Sequence, residues 1–410
     1  MKTRLIQGLY WLFLILLVEE SIRYAFREGD FVGYVIAGEY AWHGKDLYSH
    51  WLNTWPPLFS VFAIPLYGLN EISPTGLRIL WQLLTLMAFF FLTKRSLFLF
   101  SGKTLVLRSK VQEETEISWR SPMLILSFFL GFKFLLDNMS NVQINLFMLW
   151  ACVEAVYQSR VKGRSVLAAL LVALTLALKV YTLFFFVWFV LSRQFKVTAF
   201  TLLFVALLNL PVFLFFGSEL ALSYYQHWWT EIAQGFPMIH HKNQSFFAAI
   251  WRLTVDMDAG LNWKTNILSI TLDQSKKLVY LLVVLAGALP GLQLWLNKKP
   301  TRFQDSWLVF LALIPLCSPL AWKAYFIFLF PLQLYLVNQL FSQKSSAIFL
   351  GGFVIAHLLL IVSSDLFIGP LASDYAELFS LITWGAVLLV MLGLKQSMGS
   401  WWRLRGENIE

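Results

Sequence analysis

Long apolar runs separated by short polar gaps dominate this chain of 410 residues. The first run extends from about Leu5 to Tyr24, and no small-residue cleavage site follows it, so we expect an uncleaved first helix. The later runs cover residues 58–69, 77–92, 122–136, 142–157, 165–178, 181–191, 197–216, 278–296, 307–317, 325–340, 347–362 and 378–394. They are continuous rather than alternating, which is typical of membrane helices and not of a β-barrel. The pattern predicts an all-α polytopic membrane protein.

The polar gaps alternate in charge, and this alternation predicts a topology. Basic gaps lie at residues 94–121, 160–164, 193–196, 298–302 and 344 and in the tail from Lys395, whereas the gaps between them are richer in Asn, His, Trp and Gly. With the basic gaps inside, the chain crosses the membrane about 12 times and both termini are cytoplasmic. We then expect one integral-membrane domain over residues 1–410, with a cytoplasmic loop at 94–121 and a long outer loop at 217–277.

The run at residues 58–69 decides whether the number of membrane crossings is even or odd. It is much shorter than the roughly 20 residues that a full crossing needs. We therefore expect a re-entrant or broken half-helix there, with its ends covered by protein or by a wet cavity. A full crossing at this run would reverse the sidedness of part of the map, and that alternative stays open.

The first outer loop, residues 26–57, is the first substantial polar break in the chain. Within it, helical spacing gives one apolar stripe, formed by Phe31, Tyr34, Val35, Gly38, Ala41 and Trp42. Such a short helix is expected to lie in the membrane surface, to end near Gly44 and to be followed by the Pro56-Pro57 pair. Asp30 would then lie where the bilayer meets water.

Composition supports this interpretation and limits the partners. Hydrophobic residues make up 58% of the chain and charged residues 13%. The net charge of +9 comes from bases in the gaps between apolar runs, which indicates membrane topology rather than nucleic-acid binding. The two cysteines, Cys152 and Cys317, both lie in apolar runs, so we predict neither a disulfide nor a metal site from them.

Two residues of the outer gaps are the strongest candidates for chemistry. Asp30 is a carboxylate at neutral pH and can accept a proton from a hydroxyl, although an aspartate there also serves often as a helix N-cap. Lys179 separates two short apolar runs, and an ammonium at membrane depth indicates function unless it extends to the interface. Such a cation would stabilise a phosphate leaving group.

The remaining candidates are weaker. Lys323 follows Trp322 and is either a second phosphate-binding cation or part of an interfacial anchor. Gln143 and Asn145 are two residues apart, so on one helix they would not share a face. His240 and His241 lack metal-ligand spacing with a nearby acid, Arg252 is alone, and no multi-carboxylate arrangement for a divalent ion is evident, so we expect no metal or cofactor.

Several blocks along the chain resemble glycosyltransferase family 87, the GT-C fold enzymes that take mannose from a polyprenyl-phosphate carrier. The blocks are Gly29-Asp30-Phe31 with Tyr34, Ala37, Gly38, Gly44, Leu47-Tyr48, Pro56-Pro57 and Pro65-Leu66, then Gln143-Ile144-Asn145, Leu178-Lys179, Asn243-Gln244-Ser245 with Arg252, and Ser318-Pro319 followed by Trp322. Many members place Asp and His after that tryptophan, where this chain has Lys323, Ala324 and Tyr325. Lys323 would replace that contact with a positive charge.

The resemblance implies a catalytic aspartate, which maps onto Asp30. Together with the argument from charge, it gives the hypothesis of an inverting transferase in which Asp30 is the base and Lys179, with Lys323, neutralises the donor phosphate. It implies a substrate-binding set formed by Tyr34, Gln143, Asn145, Asn243, Gln244, Arg252 and Trp322. It also implies an active site on the periplasmic face of the inner or plasma membrane, where a lipid-linked or glycan acceptor receives the sugar among membrane lipids. The alternatives are the same chemistry with another lipid-linked sugar, such as arabinofuranose, or a transporter of lipid-linked glycans.

Overall fold

The computed structural model describes residues 2–27, 29–108, 110–233, 239–296, 305–342 and 345–406. The chain is mostly helical, with 76% of its residues in helices, which confirms the expectation of a helical membrane protein. The helices are α1 (Lys2–Ala25), α2 (Phe31–Trp42), α3 (Pro57–Ile72), α4 (Pro74–Ser101), α5 (Pro122–Ser140), α6 (Asn145–Arg160), α7 (Ser165–Leu178), α8 (Leu183–Leu191), α9 (Phe195–Phe216), α10 (Ser218–His227), α11 (Phe246–Thr254), α12 (Leu272–Leu296), α13 (Ser306–Cys317), α14 (Phe330–Ser342), α15 (Ala347–Val362), α16 (Asp365–Ile368), α17 (Pro370–Leu378) and α18 (Leu381–Gly406).

Shorter elements complete the described chain. A 3₁₀ segment, Val180–Thr182, precedes α8, and another, Lys323–Leu329, precedes α14. A π-helical turn covers Trp228–Ala233. Strands β1 (Thr104–Val106) and β2 (Glu116–Ser118) pair in parallel.

Five helical segments of the described chain are long and apolar enough to cross a membrane. They are Pro74–Ser101, Pro122–Ser140, Phe195–Phe216, Leu272–Leu292 and Lys323–Ser342. The helices α17 and α18, bent by 57° at their junction, make a sixth candidate if they act as one span. Further apolar helices of 10–17 residues lie at Pro57–Ile72, Ser165–Leu178, Val180–Leu191, Ser306–Cys317 and Ala347–Val362. The count of about 12 crossings therefore stays a prediction.

The run at residues 58–69 folds as the single helix α3, with Pro65 inside it. Its 16 residues form one continuous helix. At 1.5 Å per residue the helix is about 24 Å long, which is short of the roughly 30 Å of a bilayer core. Its re-entrant placement stays a prediction.

The two long gaps contain more regular structure than the sequence pattern suggested. Helix α4 continues to Ser101, so the polar connector begins several residues after Lys94, and the connector itself contains β1 and β2. The gap at residues 217–277 contains α10, the π-helical turn and α11. The hydropathy pattern did not predict these short helices, because an apolar face of only two or three turns is hard to recognise among polar residues.

The packing divides the chain into two compact units that interleave along the sequence. The first unit comprises residues 1–95, 135–186 and 194–237, and the second comprises residues 96–134, 187–193 and 238–410. Three of the unit boundaries fall inside helices, in α4, α5 and α8. The single membrane domain over residues 1–410 stays a prediction.

In the first unit, α2 packs closely against α3. A Cβ atom on Gly38 would overlap the carbonyl group of Ala63, so only glycine permits this approach of the two backbones. Seven of the twelve residues of α2 are buried, which gives this helix extensive protein contact as well as any contact with the membrane surface. The α2–α3 contact places Asp30, at the start of α2, within the first unit.

Candidate active site

Asp30 lies at the start of α2, and its side chain does not cap that helix. Its Oδ2 atom instead accepts a hydrogen bond from Nε2 of Gln143. The residue is exposed. The carboxylate is therefore not used as a helix cap, and part of it stays accessible to solvent.

The backbone around Gln143 explains how that side chain reaches Asp30. Gln143 precedes α6 and is not helical, so the argument that Gln143 and Asn145 point to different helix faces does not apply. Val142 has a φ of 50°, an unusual value for a β-branched residue, and this turn redirects the chain just before Gln143. Gly29, at φ 51°, would bring a Cβ within 3.4 Å of the Asn141 backbone, so the two turns lie in contact.

Tyr34 fixes the orientation of the Gln143 amide. The Tyr34 hydroxyl donates to Oε1 of Gln143 at 3.2 Å and accepts from the Ile144 N–H at 3.3 Å. Because Oε1 accepts from the tyrosine, the Nε2 donor of the amide faces Asp30. Tyr34 is fully buried, and its ring makes edge contacts with those of Trp55 and Phe59. The hydrogen-bond chain thus orients a donor toward the carboxylate.

Lys179 lies at the break between α7 and the following 3₁₀ segment, and its side chain is only 5% exposed. Its ammonium donates to Oδ1 of Asn145 at 3.3 Å, and the Tyr181 hydroxyl donates to the same oxygen at 2.8 Å. The Nδ2 group of Asn145 is buried without a hydrogen-bond partner among the described residues. The lysine therefore stays inside the protein, beside a buried donor that has no hydrogen-bond acceptor among the described residues.

The electrostatics of Asp30 reflect this neighbourhood. Although the residue as a whole is exposed, protein atoms around its carboxyl group displace water, and this desolvation raises the pKa of the Asp30 carboxyl above its ordinary value. The charge of Lys179 and the Gln143 hydrogen bond oppose that rise. A carboxylate with a raised pKa is a better proton acceptor than a free aspartate. The first unit therefore brings together an accessible acid, an oriented amide and a buried cation.

The second unit contains the other predicted site residues, and three of them bond protein backbone. Arg252 is 2% exposed, and its guanidinium donates to the carbonyls of Ile239, His240 and Asn243 and to the Ser380 hydroxyl. The side chain of Asn243 joins Pro319 and Ala321, while Gln244 donates to the carbonyls of His241 and Glu377. These bonds hold the loop before α11. Trp322 is half-buried and immediately precedes the 3₁₀ segment that begins at Lys323.

The structure also reveals an acidic cluster that the sequence analysis missed. The ammonium of Lys323 contacts Glu377 and lies 3.4 Å from Asp365, and that of Lys242 contacts Asp374 and lies 3.1 Å from Glu377. The ligand atoms of His241, Asp374 and Glu377 lie within 4.8 Å of one another. His241 has no acid at metal-ligand spacing nearby in the sequence, but the fold brings Asp374 and Glu377, which are far away along the chain, close to it. Two ammonium groups already neutralise those carboxylates.

Comparison with protein families gives one match. The sequence model of glycosyltransferase family 87 matches residues 53–319. The chain belongs to glycosyltransferase family 87. A comparison with curated proteins finds no match.

Membership of glycosyltransferase family 87 makes this chain a membrane glycosyltransferase, which uses a sugar donor and an acceptor. The matched residues include Gln143, Asn145 and Lys179 of the first unit. They begin after Asp30 and end before Lys323, so the assignments of those two residues depend on the structure and on the sequence blocks.

Sequence reasoning overlooked Tyr181, Asp374 and Glu377. Tyr181 follows Lys179 by two residues, and its hydroxyl group beside a lysine in an apolar stretch could have identified it as a site residue. Asp374 and Glu377 are three residues apart in the gap after α15, a spacing that puts both acids on one helical face.

Proposed function

We propose that this family 87 glycosyltransferase moves a hexose, with mannose as the first choice, from a polyprenyl-phosphate sugar to a lipid-linked or glycan acceptor with inversion at the anomeric carbon. The observation that carries the proposal is the group formed by Asp30, Gln143 and Lys179 in the first unit. An acid that accepts a proton and a cation that receives a phosphate are the two groups that such a transfer needs.

Asp30 acts as the general base. Its carboxylate takes the proton of the acceptor hydroxyl as the hydroxyl oxygen attacks the anomeric carbon. Gln143 donates to Oδ2 and so leaves Oδ1 for the acceptor, and Tyr34 holds the Gln143 amide in that orientation. A base positioned in this way typically contributes ~10² to 10⁴ in rate.

Lys179 acts on the leaving group. As the bond between the anomeric carbon and the phosphate oxygen breaks, the polyprenyl phosphate gains negative charge, and the buried ammonium stabilises that charge. The unpaired Nδ2 of Asn145 provides a second donor beside it. The charge of Lys323 is neutralised by Glu377 and Asp365, so Lys179 is the main cation for the donor phosphate.

The test is sugar transfer by purified protein from radiolabelled polyprenyl-phosphate mannose, with membrane lipid extract as the acceptor source. Asp30→Asn is compared with the wild type and with Glu39→Gln, which removes an acid of the same loop that pairs with Lys45 at the surface. We expect Asp30→Asn to lose ~10² to 10⁴ in rate and Glu39→Gln to keep full activity. Size-exclusion profiles establish that the variants are folded.

The outcomes separate the alternatives. Full activity in a folded Asp30→Asn protein refutes the base. Transfer from a polyprenyl-phosphate arabinofuranose but not from the mannose donor corrects the sugar while retaining the chemistry. Movement of intact lipid-linked glycan across vesicles, without transfer from any donor, supports the transporter alternative instead.

A further inference from the structure

An open groove lies between the first turns of α7 and α9, within the first unit. Its volume is about 800 Å³, and the residues that line it are Gly163, Arg164, Ser165, Val166, Leu167, Leu170, Lys196 and Phe200. We refer to these eight residues as the basic groove. Both helices begin here, so their first-turn N–H groups lie at the same end of the groove.

The charge at the entrance of the basic groove is positive. Arg164 and Lys196 are exposed, and neither has a carboxylate partner among the described residues. The sequence contains no Asp or Glu from Ala155 to Ser218, whereas Arg160 and Lys162 lie just before the groove. The helix starts add partial positive charge to the same end. The entrance is therefore suited to an anion.

The walls of the basic groove are apolar and face outward. Val166 is 51% exposed, and Leu167 and Phe200 are each 37% exposed. Helix α9 is the least buried of the candidate spans, with only 11% of its apolar window covered by protein. An exposed apolar wall on a membrane helix contacts lipid chains. An anion-binding entrance above such a wall has the chemistry of a lipid with a charged phosphate.

We propose that the basic groove binds one anionic diacyl phospholipid, with its phosphate at Arg164 and Lys196 and an acyl chain along Val166, Leu170 and Phe200. Basic pockets between membrane helices recognise lipid head groups in this way. The site is separate from the residues assigned to sugar transfer, and its occupancy does not depend on that proposal.

Native mass spectrometry of delipidated, detergent-purified protein tests the site. The probes are phosphatidylglycerol, phosphatidylcholine with the same acyl chains, polyprenyl phosphate and glycerol 3-phosphate. We compare the wild type with the Arg164→Gln/Lys196→Gln double variant. The matched control is Lys45→Gln/Lys264→Gln, which removes two bases from surface ion pairs elsewhere and changes the net charge equally.

We expect phosphatidylglycerol to bind the wild type more tightly than phosphatidylcholine and glycerol 3-phosphate, whereas polyprenyl phosphate, which also fits the proposed transfer site, should bind the wild type and the groove variant alike. The groove variant should weaken phosphatidylglycerol binding about fivefold per base, or about 25-fold for both, while the control variant should retain it. An equal loss in the control overturns the proposal, because the effect is then net charge alone. Equal binding of phosphatidylcholine or glycerol 3-phosphate also overturns it, and so does a loss of polyprenyl phosphate binding in the groove variant as large as the loss of phosphatidylglycerol binding.

A second variant keeps the charges and fills the apolar wall. Leu170→Trp should weaken phosphatidylglycerol binding without changing the size-exclusion profile, because the indole occupies the path of the acyl chain. If the double variant fails to fold, this variant decides alone. Unchanged phosphatidylglycerol affinity in folded Leu170→Trp protein overturns the proposal.

Discussion

Replacing Lys179 by methionine separates a functional cation from a structural one. The substitution keeps an unbranched chain of similar length at a residue that is 5% exposed, and it removes the ammonium, which donates to Asn145 at 3.3 Å. Desolvation of a buried ammonium costs several kcal/mol, whereas a hydrogen bond from a charged group returns ~1.5–3 kcal/mol, with further attraction to Asp30. Tyr181 still donates to the Asn145 oxygen in the variant. These contributions nearly cancel, so we expect the free energy of unfolding to change by no more than about 1 kcal/mol or to rise.

Activity should respond very differently. If the Lys179 ammonium stabilises the departing phosphate, its loss removes a preorganised positive charge, for which ~2.7–4 kcal/mol of transition-state stabilisation is typical. That corresponds to a fall of ~10² to 10³ in kcat. The assay measures sugar transfer and denaturant or thermal unfolding on the same preparation of Lys179→Met. Lys45→Met, which removes the base of an exposed ion pair in the same unit, is the matched control and should change neither quantity.

Two results would refute this reasoning. Full transfer activity in the Lys179→Met protein would show that the ammonium does not act on the leaving group. A loss of more than about 3 kcal/mol in stability, with activity per folded molecule unchanged, would show that the lysine is part of the structural core.

Three further predictions concern both units. Gln143→Leu removes a hydrogen-bond donor that stabilises the charged form of Asp30, so the pKa of that carboxyl should rise further. Because the base is then protonated at a higher pH, the acidic edge of the kcat/KM profile should move to higher pH. An unmoved edge would exclude Asp30 as the titrating base. Arg252→Gln should lower the free energy of unfolding by ~3–5 kcal/mol, measured by thermal unfolding, because it leaves several buried carbonyls without their donor. Gly38→Ala should lower the free energy of unfolding by ~1–3 kcal/mol, because the added methyl group overlaps the α3 backbone. In the control Gly68→Ala the methyl group meets nothing within 4 Å, so the free energy of unfolding should stay the same or rise. Equal stabilities of the two variants would contradict the close α2–α3 contact.

Helices were predictable where an apolar run and the polar residues that bound it are enough to define them. The runs at residues 165–178 and 347–362 match α7 and α15 at both ends, and α2 begins at Phe31 as its spacing indicated. Helix ends were less predictable where polar residues continue a helix beyond its apolar part, as at the end of α4. A helix ends where hydrogen bonding stops, and hydropathy reports this only indirectly.

The candidate site was predictable by residue type but not by role. Lys179 was conspicuous because a charged group at membrane depth is costly, and Asp30 because it is an acid just after the first apolar run; both arguments need only the sequence. The alternatives for each residue, a cap for Asp30 and an exposed anchor for Lys179, were separated only by side-chain position. Gln143 shows the same limit, since its non-helical backbone makes helical periodicity irrelevant.

The sequence by itself determined that the chain is a helical membrane protein, because the hydrophobic pattern is a local property of the chain. Its membership of a glycosyltransferase family is also written in the sequence, in the residues that the family model matches. Only the tertiary structure decided which polar groups meet. Asp30 and Gln143 are 113 residues apart in sequence, and the bond between them exists because α2 and the turn before α6 fold into the same unit. The partners of Glu377 likewise come from distant segments. Contacts of this kind depend on the packing of whole helices, and no local pattern encodes them.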